Sequence, residues 1–246
     1  MGFVEYIIND VARWLPRGAV EMGLVWANYL GRDVPALNAV MVQGSVGSPE
    51  ELIMALPEIQ EIYSEVLAEW DIVPTGFMAL PLLKASIFCR EQPVRTLEEL
   101  RTRKLRVWSN DQVETFTKLG VSAQIVGQNE LYIALQTGVV DGAFIPWEII
   151  PPLRIQEQTE YQIEGHDMAR FGTTTFQVSM NSDRWAGLPE DIQAAFREAS
   201  NREWWGQVGE IWRASDDFGI NMAVNAGNTH ITLTEEETAA FQDALE

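Results

Sequence analysis

The stretch KLRVWSNDQVETFTKLGVSAQIVGQNELYIALQTGVVDGAFIPW, residues 104–147, alternates short apolar runs with amphipathic segments. The apolar runs at 105–108, 122–126 and 139–145 are typical of strands, and the segments between them have helical spacing and each end at a glycine. The resulting order, β-α-β-α-β, predicts a parallel sheet with helices on both faces. Because ligands of such folds bind beyond the carboxyl ends of the strands, we expect a binding site at that edge.

The flanking sequence supplies further helices. Thr96 and Glu99 have the spacing of a capping box and predict a short helix before residue 104. From Pro189 onward, helical periodicity continues for more than thirty residues and predicts one long helix. At about 1.5 Å per residue this helix would be roughly 50 Å long, enough to run across two lobes. The tail predicts a strand and then a helix capped by Thr234.

Composition indicates a globular protein with one large core or two modest ones. The chain has 246 residues, of which 46% are hydrophobic and 22% charged, and it has no long low-complexity run. No apolar run reaches the roughly 18–20 residues that a bilayer span needs, which argues against an integral membrane protein. The net charge of −19 would repel a phosphate backbone, so we expect no nucleic-acid partner.

The sequence lacks the motifs of an enzyme or a metalloprotein. The common metal, nucleotide and nucleophile motifs are missing, and the two histidines, His166 and His230, are not at ligand spacing. The single cysteine, Cys89, lies in a predicted strand and indicates an inert buried thiol. We therefore expect no catalytic residue, no metal and no cofactor.

Three stretches, in this order, resemble one family. They are LEELRTRKLRV (97–107), NELYIALQTGVVDG (129–142) and MNSDRWAGLPEDIQAAFREAS (180–200). In sequence, order and separation they are similar to the substrate-binding proteins of tripartite ATP-independent periplasmic (TRAP) transporters. The three stretches together are more specific than any one of them, and the pattern covers nearly the whole chain.

The resemblance implies an α/β fold with two lobes, like that of periplasmic binding proteins, with mixed or parallel sheets and a long helix that spans both lobes. Lobe I would comprise residues 1–81 and 170–213, and lobe II residues 82–169 and 214–246. Family members normally begin with a secretion signal and a first strand-helix-strand unit. Neither precedes GAVEMG (18–23) here, so we expect lobe I to lack its N-terminal part.

Arg106 is the residue that the resemblance singles out. In the family, an arginine at this position of the K-[LI]-R-V strand binds the ligand carboxylate. A planar guanidinium presents paired donors that match a carboxylate, so it supplies orientation as well as charge. Composition alone favours another interpretation, a surface cation clustered with Arg101, Arg103 and Lys104.

The resemblance also indicates further ligand contacts. Lys84 would be a second cation in an otherwise apolar strand, although its side chain could instead extend to the surface. Where members that bind polar acids often have a polar pair before a proline, this chain has Phe144 and Ile145. Each aromatic residue in the set fits a core position equally well. Besides Arg106, the predicted contacts are Lys84, Phe144, Ile145, Trp147, Trp26, Tyr29 and Gln128.

These residues predict an extracytoplasmic solute receptor, not an enzyme, which binds an organic acid anion for the membrane permease subunits of a TRAP transporter. The apolar residues favour a monocarboxylate with an apolar body, such as a 2-oxo or hydroxy acid. A second carboxyl bound by Lys84 would favour a dicarboxylate instead. The resemblance implies a periplasmic location, although we identify no signal peptide in the chain itself.

Two other functions fit the same sequence. One is an α/β enzyme that acts on a small carboxylic acid and uses carboxylates such as Asp141 and Glu148 for acid–base catalysis. Turnover of candidate acids would distinguish it from a receptor, which only binds them. The other is a sensor that has the same fold but works without a permease.

Overall fold

The structure is a computed structural model, and the residues that it describes are 11–26, 30–31, 34–37, 49–79, 85–166 and 176–244. Two predicted ligand contacts, Tyr29 and Lys84, lie outside these residues.

The secondary-structure elements follow one another in this order. The strands are β1 (Met22–Trp26), β2 (Ile72–Ala79), β3 (Ala85–Cys89), β4 (Lys104–Val107), β5 (Ser122–Ile125), β6 (Gly142–Pro146), β7 (Tyr161–Glu164), β8 (Phe176–Asn181) and β9 (Thr229–Thr232). The helices are α1 (Pro49–Ala68), α2 (Leu97–Arg101), α3 (Asn110–Lys118), α4 (Gln128–Thr137), α5 (Ile150–Leu153), α6 (Ser182–Ala186), α7 (Glu190–Ala199), α8 (Arg202–Asn225) and α9 (Glu235–Asp243). Short 3-10 turns at Trp147–Ile149 and Ile155–Glu157 lie on either side of α5.

The chain divides into two compact units. Unit 1 contains Met1–Leu82 and Gly172–Ile211, and unit 2 contains Leu83–Phe171 and Trp212–Glu246. The boundary between Ile211 and Trp212 falls inside α8, so this helix belongs to both units.

In the described part of unit 1, three antiparallel strands form a sheet in the order β1-β8-β2. Strand β8 is central, and its Ser179 pairs with Gly23 of β1 and Pro74 of β2. Buried residues from before β1, from the strands and from α1 pack together as the core of this unit, among them Val11, Leu15, Val25, Leu67 and Ile72.

Among the described residues of unit 2, six strands form a mixed sheet in the order β5-β4-β6-β3-β7-β9. Strand β4 is parallel to both β5 and β6, and β7 is parallel to β9. Strand β3 is antiparallel to β6 and β7 and makes the sheet mixed. The predicted β-α-β-α-β unit is confirmed, because β4, β5 and β6 are neighbours in the sheet and are connected by α3 and α4.

Strand β6 separates the two hydrophobic clusters described in unit 2. Phe144 belongs to one cluster, together with Leu105 and Val107 of β4. Ala143 and Ile145 belong to the other, together with side chains of α4. Because successive side chains of a strand point to opposite faces, all five residues of β6 are buried. A central strand that is covered on both faces has a continuous apolar sequence, as this one does.

The single long helix predicted for the last third of the chain is wrong, because two helices, α7 and α8, meet there at a break. Ser200 leaves helical geometry, with φ −88° and ψ 80°, and its hydroxyl donates to the carbonyl of Gly76. The side chain of Asn201 accepts hydrogen bonds from the N–H groups of Glu203 and Trp204 and so caps α8. Apolar spacing continues across the break, which is why periodicity alone did not detect it.

Helix α8 comes very close to the turn after β6. A β-carbon placed on Gly219 would lie only 2.3 Å from the backbone oxygen of Trp147. One turn later, Ala223 is fully buried in the same cluster as Trp147. The second half of α8 therefore packs directly on the backbone of this turn, and position 219 has no room for a side chain.

We predict that Gly219→Ala destabilises the protein, although the same exchange usually stabilises a helix. Alanine in a helix interior is favoured over glycine by roughly 0.5–1 kcal/mol. Forcing an extra carbon into a packed position typically costs about 1–3 kcal/mol. The contact is with the backbone of Trp147, which cannot change rotamer as a side chain can. We therefore expect the melting temperature to fall by roughly 2–8 °C in thermal unfolding followed by circular dichroism.

Gly206 provides the matched control in the same helix. A β-carbon at Gly206 would meet nothing within 4 Å, so Gly206→Ala should raise the melting temperature. A rise for Gly219→Ala as well would contradict the close approach of α8 to the turn.

Candidate functional site

The candidate site lies at the carboxyl edge of the parallel strands β4, β5 and β6 in unit 2. Arg106 is in β4 and pairs in register with Gln124 of β5 and Ala143 of β6. Its neighbours Leu105 and Val107 belong to the core on one face of the sheet. The Arg106 side chain therefore points to the other face, where α4 packs.

Arg106 is a buried cation with a fixed orientation. It is 4% exposed, and its Nε donates a 2.9 Å hydrogen bond to the backbone oxygen of Val126. Val126 directly precedes Gly127, the N-cap of α4. An arginine stays charged at any pH that a protein tolerates, so a buried one requires hydrogen-bond acceptors. The bond to Val126 holds the guanidinium beside the start of α4.

The start of α4 adds a second attraction for negative charge. Gly127 has no side chain to cap the first N–H groups of this helix. These groups and the helix dipole favour an anion at this position. Gln128, a predicted ligand contact, is the first residue of α4 and is partly exposed, while the acidic Glu130 in the same turn is exposed to solvent. The carboxylate of Glu130 opposes this attraction, because its Oε2 lies 3.4 Å from the position of a β-carbon on Gly127, so Arg106 is the group that makes this edge suit a ligand carboxylate.

Three predicted ligand contacts are packed inside unit 2 instead. Phe144 is 2% exposed and stacks on the ring of Trp108, with centroids 5.2 Å apart. Ile145 and Trp147 are fully buried, and Trp147 Nε1 donates a 3.2 Å hydrogen bond to Glu164 Oε2. The contact of these three side chains with a ligand stays a prediction. Their apolar sequence is that of a central strand and the turn after it.

Trp26 lies in unit 1, at the end of β1. It is partly exposed and stacks on Phe176 of β8, with ring centroids 5.2 Å apart. Of the eight predicted contacts, Arg106 and Gln128 both lie at the carboxyl edge of the sheet in unit 2. Trp26 lies in unit 1.

The carboxylate pair of the enzyme alternative is not assembled. Asp141 precedes β6, where its Oδ2 accepts a 3.0 Å hydrogen bond from the backbone N–H of Lys104. Glu148 follows β6. The five residues of β6, at about 3.3 Å each, place the two carboxylates at opposite edges of the sheet. These two groups are therefore too far apart to act on one bond.

Sequence reasoning missed the electrostatic interaction between two carboxyl groups in unit 2. The charge of Asp216 in α8, a residue that is 2% exposed, acts on Glu148. Burial, and next the charge of Asp216, raise the pKa of Glu148 to about 8. The two residues are far apart in sequence and meet only because α8 packs on the turn after β6. No local pattern could have revealed the pair.

A second buried carboxylate joins β7 to β9 and to the same turn. Glu164 is 8% exposed, and its Oε1 lies 3.0 Å from Nε2 of His230. The indole of Trp147 packs edge-on against His230, with centroids 5.2 Å apart. These contacts give His230 a structural role.

A polar groove of about 610 Å³ lies at the start of β7 and β9. None of the residues that line it is basic, and two of them, Glu157 and Glu160, are acidic. An anion would be repelled there, so charge favours the edge at Arg106 as the carboxylate site.

The described residues contain no cluster of three or more metal-ligating side chains. Burial raises the pKa of the Cys89 thiol to about 12, which keeps it protonated and unreactive at neutral pH. None of the helices in the described ranges has both the length and the hydropathy that a bilayer span requires.

Comparison with known proteins connects this geometry to a family. The model of DctP, described as bacterial extracellular solute-binding protein, family 7, matches residues 85–246. The chain is 27% identical to the C4-dicarboxylate-binding periplasmic protein DctP of Rhodobacter capsulatus, over 100% of this chain and 68% of that protein. It is 29% identical to the solute-binding protein NAS141_03721 of Sulfitobacter sp. NAS-14.1, over 95% of this chain and 64% of that protein. The chain thus spans about two thirds of the length of these relatives.

Solved structures show the same fold. A TRAP periplasmic solute-binding protein from Chromohalobacter salexigens with bound D-glucuronate has a TM-score of 0.83 at 22% identity, covering 97% of this chain and 77% of that one. DctP7 of Bordetella pertussis, an extracytoplasmic solute receptor binding pyroglutamic acid, has a TM-score of 0.83 at 18% identity, covering 96% and 76%. This similarity confirms the predicted fold class. Because the family model spans well over half of the sequence, the chain belongs to the bacterial extracellular solute-binding proteins of family 7, the DctP family.

Proposed function

We propose that the chain is the ligand-binding receptor of a TRAP transporter, which binds an organic acid anion in the periplasm and delivers it to membrane permease subunits. Membership of family 7 supports the receptor role. Solved relatives carry D-glucuronate, malonate and L-malate, and the Rhodobacter relative is named for C4-dicarboxylates. All these ligands have at least one carboxylate, so that is the group we expect the site to recognise.

The buried guanidinium of Arg106 is the observation that carries this proposal. The net charge of −19 repels an anion from the protein as a whole, so a local cation must supply the attraction. Arg106 is buried, oriented by Val126 and adjacent to the start of α4. We assign the carboxylate of the ligand to the guanidinium of Arg106, because its planar group presents paired donors that match the two carboxylate oxygens.

The remaining contacts are proposed with Arg106 as the anchor. The Gln128 amide lies at the same edge and would donate to a polar atom next to the carboxylate. Lys84 and Tyr29 are proposed on the family resemblance, and Trp26 on its partial exposure in unit 1. None of these side chains performs chemistry on the ligand, because a receptor needs only to hold and release it.

We further propose that the ligand is a monocarboxylate with an apolar body, such as a 2-oxo or hydroxy acid. Phe144 and Ile145 are buried, so their support for this choice is indirect. They occupy positions at which a receptor for a polar acid would need polar side chains. Trp26, which is partly exposed, offers an apolar surface. A dicarboxylate is the competing ligand, with its second carboxyl on Lys84.

We predict that Arg106→Ala nearly abolishes ligand binding while the protein stays folded. Removing one partner of a desolvated charge pair costs on the order of 3–5 kcal/mol. At about 1.4 kcal/mol per tenfold, affinity should fall roughly a hundredfold to several thousandfold. Arg106→Lys should restore only part of it, because an ammonium keeps the charge but not the two-pronged geometry. Calorimetry, with an acid first identified by thermal shift, measures this.

Arg103→Ala is the matched control for Arg106→Ala. Arg103 precedes β4, and its Nη2 donates a 3.1 Å hydrogen bond to Gln92 Oε1, so its loss should leave affinity nearly unchanged. Binding by Arg106→Ala within about threefold of the wild type, together with a loss in Arg103→Ala, would refute the assignment of the carboxylate to β4. Circular dichroism and melting temperatures show whether both variants fold.

We also predict that apolar monocarboxylates bind more tightly than sugar acids of similar size. Each ligand hydroxyl that is buried without a partner costs roughly 1–3 kcal/mol. A thermal-shift screen followed by calorimetry tests this. Tighter binding of glucuronate than of a branched aliphatic acid would exclude the apolar ligand but keep the receptor, whereas turnover of any acid would replace the receptor with an enzyme.

A further inference from the structure

We propose that Glu148 and Asp216 share one proton at neutral pH and form a latch that fastens α8 to the turn after β6. Glu148 lies in the 3-10 turn Trp147–Ile149. Asp216 lies in α8, about one turn after the boundary between the two units. The latch uses neither Arg106 nor Gln128, so it does not depend on the proposed ligand.

Both carboxyl groups are withdrawn from water. Asp216 is 2% exposed. Glu148 is partly exposed as a residue, but its Oε2 is buried and accepts no hydrogen bond from the described residues. A buried ionised carboxylate is strongly disfavoured, and two that face each other are disfavoured further. A proton on the pair removes one of the two charges.

The packing of α8 prevents the two groups from moving apart. Gly219 lies three residues after Asp216, on the same side of the helix, where a β-carbon would come within 2.3 Å of the Trp147 oxygen. Ala223, one turn further, is fully buried. Because the helix packs on the backbone of the turn, the Oε2 atom of Glu148 gains contact with water only if α8 moves away.

The groups that act on Glu148 all lie in the turn or in α8. Burial has the largest effect, followed by the charge of Asp216, and together they raise the pKa of Glu148 from 4.5 to about 8. Its own backbone N–H and the indole of Trp212 act in the opposite direction and are weaker. Within the described part of the chain, no cation is among these groups. Two more titratable groups, Glu164 and His230, contact the indole of Trp147 in the same turn.

This arrangement makes the attachment of α8 depend on pH. The folded protein holds the Glu148 proton more tightly than the unfolded chain does, since the pKa is about 8 in one and 4.5 in the other. The latch is therefore fully stable below the lower value and weakens as the pH rises through the higher one. Proton loss would loosen α8 close to the point where the helix passes from one unit to the other.

Thermal unfolding of the full chain tests the latch. We expect the melting temperature of the wild type to fall by roughly 5–10 °C between about pH 6 and about pH 9, whereas that of Glu148→Gln, which is neutral throughout, stays nearly constant. Glu160→Gln is the control, because Glu160 is an exposed carboxylate of the same unit, and it should follow the wild type.

Infrared difference spectroscopy gives an independent readout that does not require Glu148→Gln to fold. The carbonyl band of a protonated carboxyl group should disappear from the wild type as the pH rises through about 8, and Asp216→Asn should move that midpoint to lower pH. A fall in the melting temperature of Glu148→Gln equal to that of the wild type would overturn the proposal. So would the absence of the protonated band from the folded wild type at about pH 6.

Discussion

The burial of strand β6 on both faces is the constraint on which the rest of unit 2 depends. β6 lies between β4 and β3, and a β-carbon on Gly142 would come within 2.6 Å of the Phe88 oxygen, so the strand fits only with glycine there. Its side chains alternate between two hydrophobic clusters. This position fixes β4, from which Arg106 projects toward α4. It also fixes the turn after β6, which sets Glu148 against α8.

The protein buries charges of opposite sign and stabilises them in different ways. A guanidinium does not give up its proton at physiological pH, so Arg106 stays charged and needs acceptors, among them the backbone oxygen of Val126 and, as proposed, a ligand carboxylate. A carboxyl group can instead become neutral. Glu148 does so, because burial, and next the charge of Asp216, raise its pKa. The burial of Arg106 creates the proposed site for an anion, and the burial of Glu148 creates a site that holds a proton.

Local signals in the sequence were enough to predict the central fold. Apolar runs and terminal glycines predicted the β-α-β-α-β unit, and the capping box of Thr96 is present as predicted. Features that depend on tertiary contacts could not be predicted from local sequence. The Ser200 break forms through Gly76, far away in sequence, and Phe144 had a sequence that suits a cleft as well as a central strand. Asp216 acts on Glu148 only because α8 packs on the turn after β6. No short stretch of the sequence contains both elements.

A strongly perturbed carboxyl group usually suggests an active site, and in this structure it suggests a structural contact instead. Catalysis requires that a substrate reach the titrating atom, but the Glu148 Oε2 atom is buried, and the polar groove in the described residues is lined by other side chains. The charge that acts on Glu148 is that of Asp216, which belongs to α8, the helix common to both units. Its altered proton affinity therefore acts on the docking of a helix. A receptor whose proposed function is to bind and release would use such a contact without any chemistry on its ligand.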